Sequence, residues 1–250
     1  MKKLLLISSF LLSASASFAQ VNSYFLNNPI WNETSLCAIP APCIENDTYN
    51  YYTNGDTIIN SLQYKKIFRK GIKSRSWQSP NPNQGCSGTN TYVDTVPSFY
   101  LRSAGKQIYI YNQAMFNSEQ LLYDFNLQVG DTLPLTAVNF SNAITVTAID
   151  SFYTMVGYRK RFHLTGTYTW CMYLLEGVGS DKGLATIMQV PFECGYNLNC
   201  YSLQDTGYYP QIGPTCDIPL AVLNNVPEKT ALTVYPNPAA DILNISISSG

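Results

Sequence analysis

Short runs with an apolar/polar period of two follow one another along most of this chain, and turn residues break them about every ten positions. The clearest predicted element is a hairpin over Thr48 to Phe68. Tyr49, Tyr51 and Tyr52 lead into Asn54-Gly55-Asp56, and Ile58, Ile59, Leu62, Tyr64 and Ile67 lead out. Asn-Gly between alternating runs is the strongest short-range hairpin signal, because both residues accept positive φ. A polar stretch from Ser74 to Thr91, with Pro80, Pro82, Gly85 and Gly88, is predicted as a long loop. Further strands are predicted at Tyr92 to Leu101, Gln107 to Tyr111, Leu121 to Phe125, Ala143 to Asp150, Arg159 to Leu164 and Tyr168 to Leu175. Only Asn117 to Tyr123 hints at a helical turn. The pattern predicts an all-β chain folded as an antiparallel β-sandwich or a partly open barrel.

Composition agrees with that reading. Charged residues make up 12% of the chain and aromatic residues 13%, with 19 tyrosines, and aromatic and β-branched residues suit half-buried pleated surfaces. At the N-terminus, Lys2 and Lys3 precede an apolar stretch from Leu4 to Leu12, followed by Ala14-Ser15-Ala16 and Ser17-Phe18-Ala19. This is the pattern of a secretory signal peptide over residues 1–19, with the mature chain starting at Gln20. No later segment approaches the roughly 20 apolar residues of a membrane span, so no transmembrane segment is expected in the mature chain. Residues 20–217 are long enough for one large core. Loss of the first nineteen residues removes two lysines and no acid, leaving 13 basic against 16 acidic residues and a net charge of −3. Nucleic acid is not an expected partner.

Seven cysteines, Cys37, Cys43, Cys86, Cys171, Cys194, Cys200 and Cys216, all lie in the exported part, where disulfides are the default. The equal spacings of Cys37 to Cys43 and of Cys194 to Cys200 point to local loop staples, with one thiol left over; connectivity stays open. A metal site is not expected, since there is no Cys-x-x-Cys pair and His163 is the only histidine.

The residues offer little for catalysis, and no catalytic residue or cofactor is predicted. His163, in Arg161-Phe162-His163-Leu164, reads as a half-exposed strand residue without a nucleophile motif beside it. Cys86, between Gly85 and Ser87-Gly88, is better explained by a loop disulfide. Glu176, Asp150, Asp124 and Asp181 are acidic and near turns, which keeps open a hydrolase that uses paired carboxylates. The feature that does point to a partner is charge. Lys65, Lys66, Arg69, Lys70, Lys73 and Arg75 fall within eleven residues without an acid, and Arg159, Lys160 and Arg161 form a second run. If their strands are neighbours, they form a positive stripe suited to anionic polysaccharide; the alternative is a solvated face that protects a sheet edge. Trp77, in the loop after the first run, is a candidate for stacking on sugar rings. The predicted ligand-binding set is Lys65, Lys66, Arg69, Lys70, Trp77, Arg159 and Arg161.

The C-terminal stretch carries a motif of another kind. Leu232 to Tyr235 starts a strand, Pro236-Asn237-Pro238 makes a rigid turn, and Asp241 precedes an alternation in which Leu243, Ile245 and Ile247 share one face. Tyr235, Pro236, Asn237, Pro238 and Asp241 together resemble the opening of the C-terminal sorting domain of cargo for the type IX secretion system. The resemblance implies that residues 231–250 are the first strand of a β-sandwich sorting domain that breaks off at Gly250; the chain is then either a fragment or a protein that has lost its sorting signal, and an unpaired apolar strand edge favours the fragment. It also implies the secretion machinery as a partner, passage through the periplasm, and a final location outside the cell or on its surface. Residues 218–230, with Pro219, Asn224, Asn225 and Pro227, read as a linker.

The body resembles a family as well. Gly55-Asp56-Thr57, Ile59-Asn60 and Tyr64-Lys65-Lys66 are followed by Leu122-Tyr123-Asp124-Phe125 with Gly130-Asp131-Thr132, then by Ile149-Asp150-Ser151, Arg159-Lys160-Arg161-Phe162 and Glu176-Gly177-Val178-Gly179-Ser180. This order, over about residues 30 to 212, is similar to an uncharacterised β-rich module that sits directly upstream of type IX sorting domains. That module brings no assigned reaction or ligand. The expected function is therefore a secreted or cell-surface binding or adhesion module for surface or matrix polysaccharide, with a glycosidase-like hydrolase or a passive structural module as alternatives.

Overall fold

The computed structural model describes residues 23–80, 85–218, 231–235 and 244–248. The predicted signal peptide, residues 219–230 of the predicted linker and the 236–241 part of the sorting motif lie outside the described residues. The chain divides into two compact units, Met1–Ile218 and Pro219–Gly250.

The first unit is all-β. Its strands are β1 (Pro29–Ala38), β2 (Cys43–Ile59), β3 (Leu62–Trp77), β4 (Gly88–Val93), β5 (Phe99–Ala104), β6 (Gln107–Tyr111), β7 (Gln120–Asp124), β8 (Ile144–Thr154), β9 (Gly157–Gly166), β10 (Tyr173–Leu175), β11 (Gly179–Ser180), β12 (Cys194–Leu203), β13 (Thr206–Tyr209) and β14 (Gly213–Pro214). Ten strands form one antiparallel sheet in the order β14-β13-β12-β1-β2-β3-β5-β6-β7, with β4 also on β3; β11-β10-β9-β8 form a second. Trp31, Ile67, Leu101, Ile108, Leu122 and Tyr201 of the large sheet and Ile144, Val146, Phe162 and Leu174 of the small one share a single buried cluster. Two antiparallel sheets packed through one core, neither closed into a barrel, match the predicted sandwich. Among the described residues no helix is long and apolar enough to cross a membrane. In the second unit, β15 (Ala231–Tyr235) and β16 (Asn244–Ser248) pair antiparallel, with Val234 opposite Ile245.

Several local predictions need correction. The β2–β3 hairpin turns at Asn60-Ser61, both at positive φ, and not at Asn54-Gly55. Gly55, at φ +77°, instead sits where the register shifts between Thr53 and Asp56, so it serves a bulge. A glycine at positive φ suits either structure, which makes the signal degenerate. The 74–91 loop is shorter than predicted, because β3 runs on to Trp77 and β4 begins at Gly88. The predicted strand at 92–101 is two strands with a break from Asp94 to Ser98, and the predicted helical turn at 117–123 is mostly β7. The sole helical element among the described residues is a 3-10 turn at Ser23–Phe25.

The local disulfide staples are also corrected. Cys37 pairs with Cys194, Cys43 with Cys86, and Cys200 with Cys216, while Cys171 is free and buried. Register gives the reason. On β1 Cys37 lies opposite Cys194 of β12 and, on its other side, opposite Glu45, two residues past Cys43. Burial pushes the Cys171 thiol up to about 12, so it is inert. Three disulfides are compatible with an extracellular protein.

Candidate functional site

The face of the large sheet that meets the core changes character along its strands. Cross-strand pairing sets Trp31 opposite Tyr51, Glu33 opposite Tyr49 and Ser35 opposite Asp47. On the other side of β2, Tyr51 faces Arg69, Tyr49 faces Gly71, Asp47 faces Lys73 and Glu45 faces Arg75. Since residues i and i+2 share a face, one row of side chains runs from apolar to charged within a few residues. Beyond Trp31 and Tyr51 the covering sheet gives way to the loop around Ala185 and Thr186, and the charged half is left with open space above it.

The sheet also forks here. The outer edge of β3 pairs with β5 only through Lys65–Ile67 and with β4 only through Lys70–Arg75. Arg69 lies in the gap, where its carbonyl accepts the Asp94 N–H at 2.8 Å, and the neighbouring Ile67 carbonyl accepts the Ser98 N–H at 2.7 Å. A cavity of about 400 Å³ opens at the fork, lined among others by Tyr51, Arg69, Asp94, Asn112, Phe116 and Ala185. A second, of about 330 Å³, shares Tyr51, Arg69 and Ala185 with it and continues over Asp47, Lys73 and Thr186. A third, of about 470 Å³, shares Lys73 and reaches Arg75 and Thr89. Through these shared wall residues the three follow one another as a groove along β3. From Arg69 to Arg75 it spans about 20 Å at the rise of an extended strand.

Aromatic rings fix Arg69 in place. Its guanidinium carbon lies 5.3 Å from the centroid of Tyr49 and 5.2 Å from that of Tyr92, within the range of cation–π attraction. Burial pulls its pKa down, but Tyr51, Tyr92, Asp47 and Asp94 together more than offset this and hold the guanidinium charged. The side chain is 33% exposed, yet its Nε is enclosed and has no hydrogen-bond partner; the Asp94 carboxylate stands at 3.8 Å. That is too far for a hydrogen bond. Asp94 instead accepts the Ser98 hydroxyl at 3.2 Å.

Under the groove lies Glu33, 1% exposed. It accepts the Leu184 N–H at 2.6 Å and the Tyr49 hydroxyl at 3.1 Å, which anchors the loop that forms the groove's other wall. Burial pushes its carboxyl up to about 8, although both hydrogen bonds pull the other way. Asp47 is raised by burial too, against the Tyr92 hydroxyl, which donates to it at 2.9 and 3.0 Å. Glu45 is lowered overall: burial raises it, and Lys73 and Arg75, at 3.0 and 2.8 Å, outweigh the burial. Gly71 makes the arrangement possible, because a Cβ there would meet Thr48 O at 2.7 Å and both Tyr49 Cβ and Tyr92 Oη at 2.8 Å.

Of the ligand-binding residues predicted from sequence, Arg69 lies in the groove and the others do not line it. The two basic runs are on β3 and β9, which belong to different sheets, so they form no common stripe. Lys65 pairs with Asp56 at 2.7 Å, and Lys70 pairs with Asp217 at 2.6 Å. Lys70 ends a polar row in which Asn199 donates to Asn32, Asn32 to Asn50 and Asn50 to Asp217. Lys66 forms no ion pair among the described residues, and Trp77 ends β3 opposite Cys43. Arg159 is buried over the Tyr24 ring and donates to the Tyr201 hydroxyl at 3.2 Å. Arg161 clasps Asp150 with two hydrogen bonds, of 2.7 and 2.5 Å.

The other titratable candidates have structural partners. Arg161 first, then His163 at 3.2 Å, hold Asp150 down at about 2. Glu176 accepts from the Tyr24 hydroxyl and the Lys160 N–H. Asp181 accepts from the Met172 and Tyr173 N–H groups, and Asp124 from Gln107 and Asn126. Cys86 is in a disulfide. No group of three or more His, Cys, Asp or Glu side chains suited to a metal ion occurs among the described residues.

Glu33, Asp47, Tyr49, Tyr51 and Tyr92 were not singled out from sequence as candidate functional residues. Their signal is the alternation Trp31-x-Glu33-x-Ser35 and Glu45-x-Asp47-x-Tyr49-x-Tyr51, which puts acids in line with core aromatics. Comparison of the chain with family models, with curated proteins and with solved structures finds no match.

Proposed function

We propose that this protein is a secreted or cell-surface binding module for surface or matrix polysaccharide, and that the groove along β3 holds the sugar chain. The observation that carries the reading is the groove itself: elongated, open, walled by aromatic and small apolar side chains at the fork, and lined further along by polar groups. Sugar rings present both apolar C–H faces and hydroxyl groups, and a mixed lining of this kind meets both. Arg69 supplies a partly exposed cation held in place by the Tyr49 and Tyr92 rings. Export by the type IX route, through the motif at Tyr235, Pro236, Asn237, Pro238 and Asp241, fits a protein that meets polysaccharide outside the cell. The test is retention of the oxidised protein in polysaccharide-containing gels, for wild type and Phe116→Ala. Loss of retardation in the variant supports the groove, whereas equal retardation of both places binding elsewhere.

A glycosidase-like hydrolase is the second reading, and one observation favours it. Glu33 keeps its proton near neutral pH and lies one strand away from Asp47 on the same face, a pairing of unlike carboxyls that glycoside cleavage uses. Glu33 does not line the groove, so the reading requires the wall loop to move. Release of reducing ends from a polysaccharide panel, abolished in Asp47→Asn, would establish it.

A further inference from the structure

Three cations, Arg69, Lys73 and Arg75, and three acids, Glu45, Asp47 and Asp94, line the groove. Lys73 and Arg75 pair with Glu45, and Lys73 also stands 3.8 Å from Asp47. What remains is the Arg69 side chain near that of Asp94, with no hydrogen bond between the two side chains. A carboxylate or sulfate entering beside Arg69 would also meet Asp94 and Asp47, whose carboxylates already act on the guanidinium, and like charges at close range oppose entry. A hydroxyl oxygen accepts from the guanidinium without that repulsion, and a hydroxyl proton can be donated in return to Asp94.

On these grounds we propose that the polysaccharide bound in the groove is uncharged, and that Arg69 and Asp94 together read adjacent hydroxyl groups of one sugar unit at the fork. This rests on the reading of the groove as a polysaccharide site and narrows it. Arg69, whose Nε is enclosed, donates through its terminal guanidinium N–H groups to one sugar hydroxyl, while Asp94, oriented by the Ser98 hydroxyl, accepts from the next. The aromatic clamp of Tyr49 and Tyr92 holds the guanidinium in place before the sugar arrives, so little side-chain freedom is lost on binding. The specificity is the opposite of a basic stripe, which would bind anionic chains and release them in salt.

The test uses the whole oxidised chain and a set of neutral chains, namely a β-glucan, a mannan, a galactan and a xylan, each beside its carboxymethylated derivative, at low and high salt. The expected result is binding to a neutral chain that changes less than about twofold with salt, and weaker binding to the same chain after carboxymethylation. Arg69→Gln and Asp94→Asn are each expected to weaken neutral binding about tenfold or more, the scale of one or two lost hydrogen bonds to a charged group, with unfolding midpoints recorded to confirm that both variants are folded. Asp94→Asn should at the same time narrow the gap between neutral and carboxymethylated chains, a readout that a merely destabilised variant would not give. Preference for the carboxymethylated chain, falling with salt, overturns the inference and leaves the polysaccharide reading standing. Neutral binding that both variants leave intact overturns the role of Arg69 and Asp94. Failure of every chain to bind overturns both the inference and the reading beneath it.

Discussion

The two halves of the inner face of the large sheet are built from the same strands and differ in what covers them. Around Trp31, Ile67, Leu101 and Tyr201 the face meets the small sheet and is wholly buried. Around Tyr49, Asp47 and Lys73 it meets the 185–187 segment and Tyr196, and Tyr49, Asp47 and Lys73 each have a polar partner, while the enclosed Nε of Arg69 has none. The covered half gains from apolar area, whose burial contributes about 25 cal/mol per Å². In the open half, satisfied hydrogen bonds add only about 1 kcal/mol each. Stability therefore belongs to the first half, and the second is free to hold a ligand.

The comparison can be broken most severely at Trp31, which is fully buried and donates from Nε1 to the Val178 carbonyl at 2.8 Å. Trp31→Ala should cost about 3 to 5 kcal/mol in urea unfolding; a loss under 1 kcal/mol would show that the core is not where the two sheets meet. Next in size is Gly71→Ala, which forces a Cβ against backbone and Tyr92 in the open half. About 2 to 3 kcal/mol should be lost, and polysaccharide retention should fall with it because Tyr49 and Tyr92 no longer clamp Arg69.

A smaller effect, counted per pH unit, comes from titration. The Glu33 carboxyl is raised from 4.5 to about 8 in the folded chain, so the native state holds a proton that the unfolded state releases between those values. The contribution of Glu33 is full below about pH 4.5 and declines as pH rises towards 8, by at most about 1.4 kcal/mol per pH unit. Asp150 acts in the opposite sense: its folded value near 2 gives a contribution that is present above its ordinary value of 3.8 and lost as pH falls towards 2. Glu33→Gln, which keeps an acceptor for the Leu184 N–H, should flatten the decline between pH 5 and 8. An unchanged slope would mean that another group is responsible. The smallest effects sharpen the contrast: Lys65→Ala and Lys70→Ala remove partly exposed ion pairs outside the groove and should change stability by less than about 1 kcal/mol. Neither should alter polysaccharide retention.

The parts of this fold that depend on neighbours in sequence were legible, and the parts that depend on register were not. Period-two alternation predicted β6 at Gln107–Tyr111 to the residue, and it placed β7, β8 and β9 to within a few residues. The break at Asp94–Ser98 was missed because strand-forming residues flank it on both sides; what splits it is competition between β4 and β5 for one edge of β3. Cys37 and Cys194 are 157 residues apart and adjacent only because β1 pairs with β12. Arg69 was among the candidate binding residues through its place in a basic run, but what sets it apart is its place opposite Tyr51 and at the fork. Charge density along a sequence says nothing about which cations find acids across a strand, as Lys65 and Arg161 show.

The most direct test of the groove is residue-resolved NMR of the oxidised protein during titration with a neutral oligosaccharide released from whichever chain retards it. Perturbed amides should cluster at Tyr51, Arg69, Asp94, Asn112 and Ala185, with Phe162 and Leu174 of the small sheet unmoved. Perturbations centred instead on the β8–β9 hairpin around Met155 and Val156, with Arg69 silent, would contradict the account.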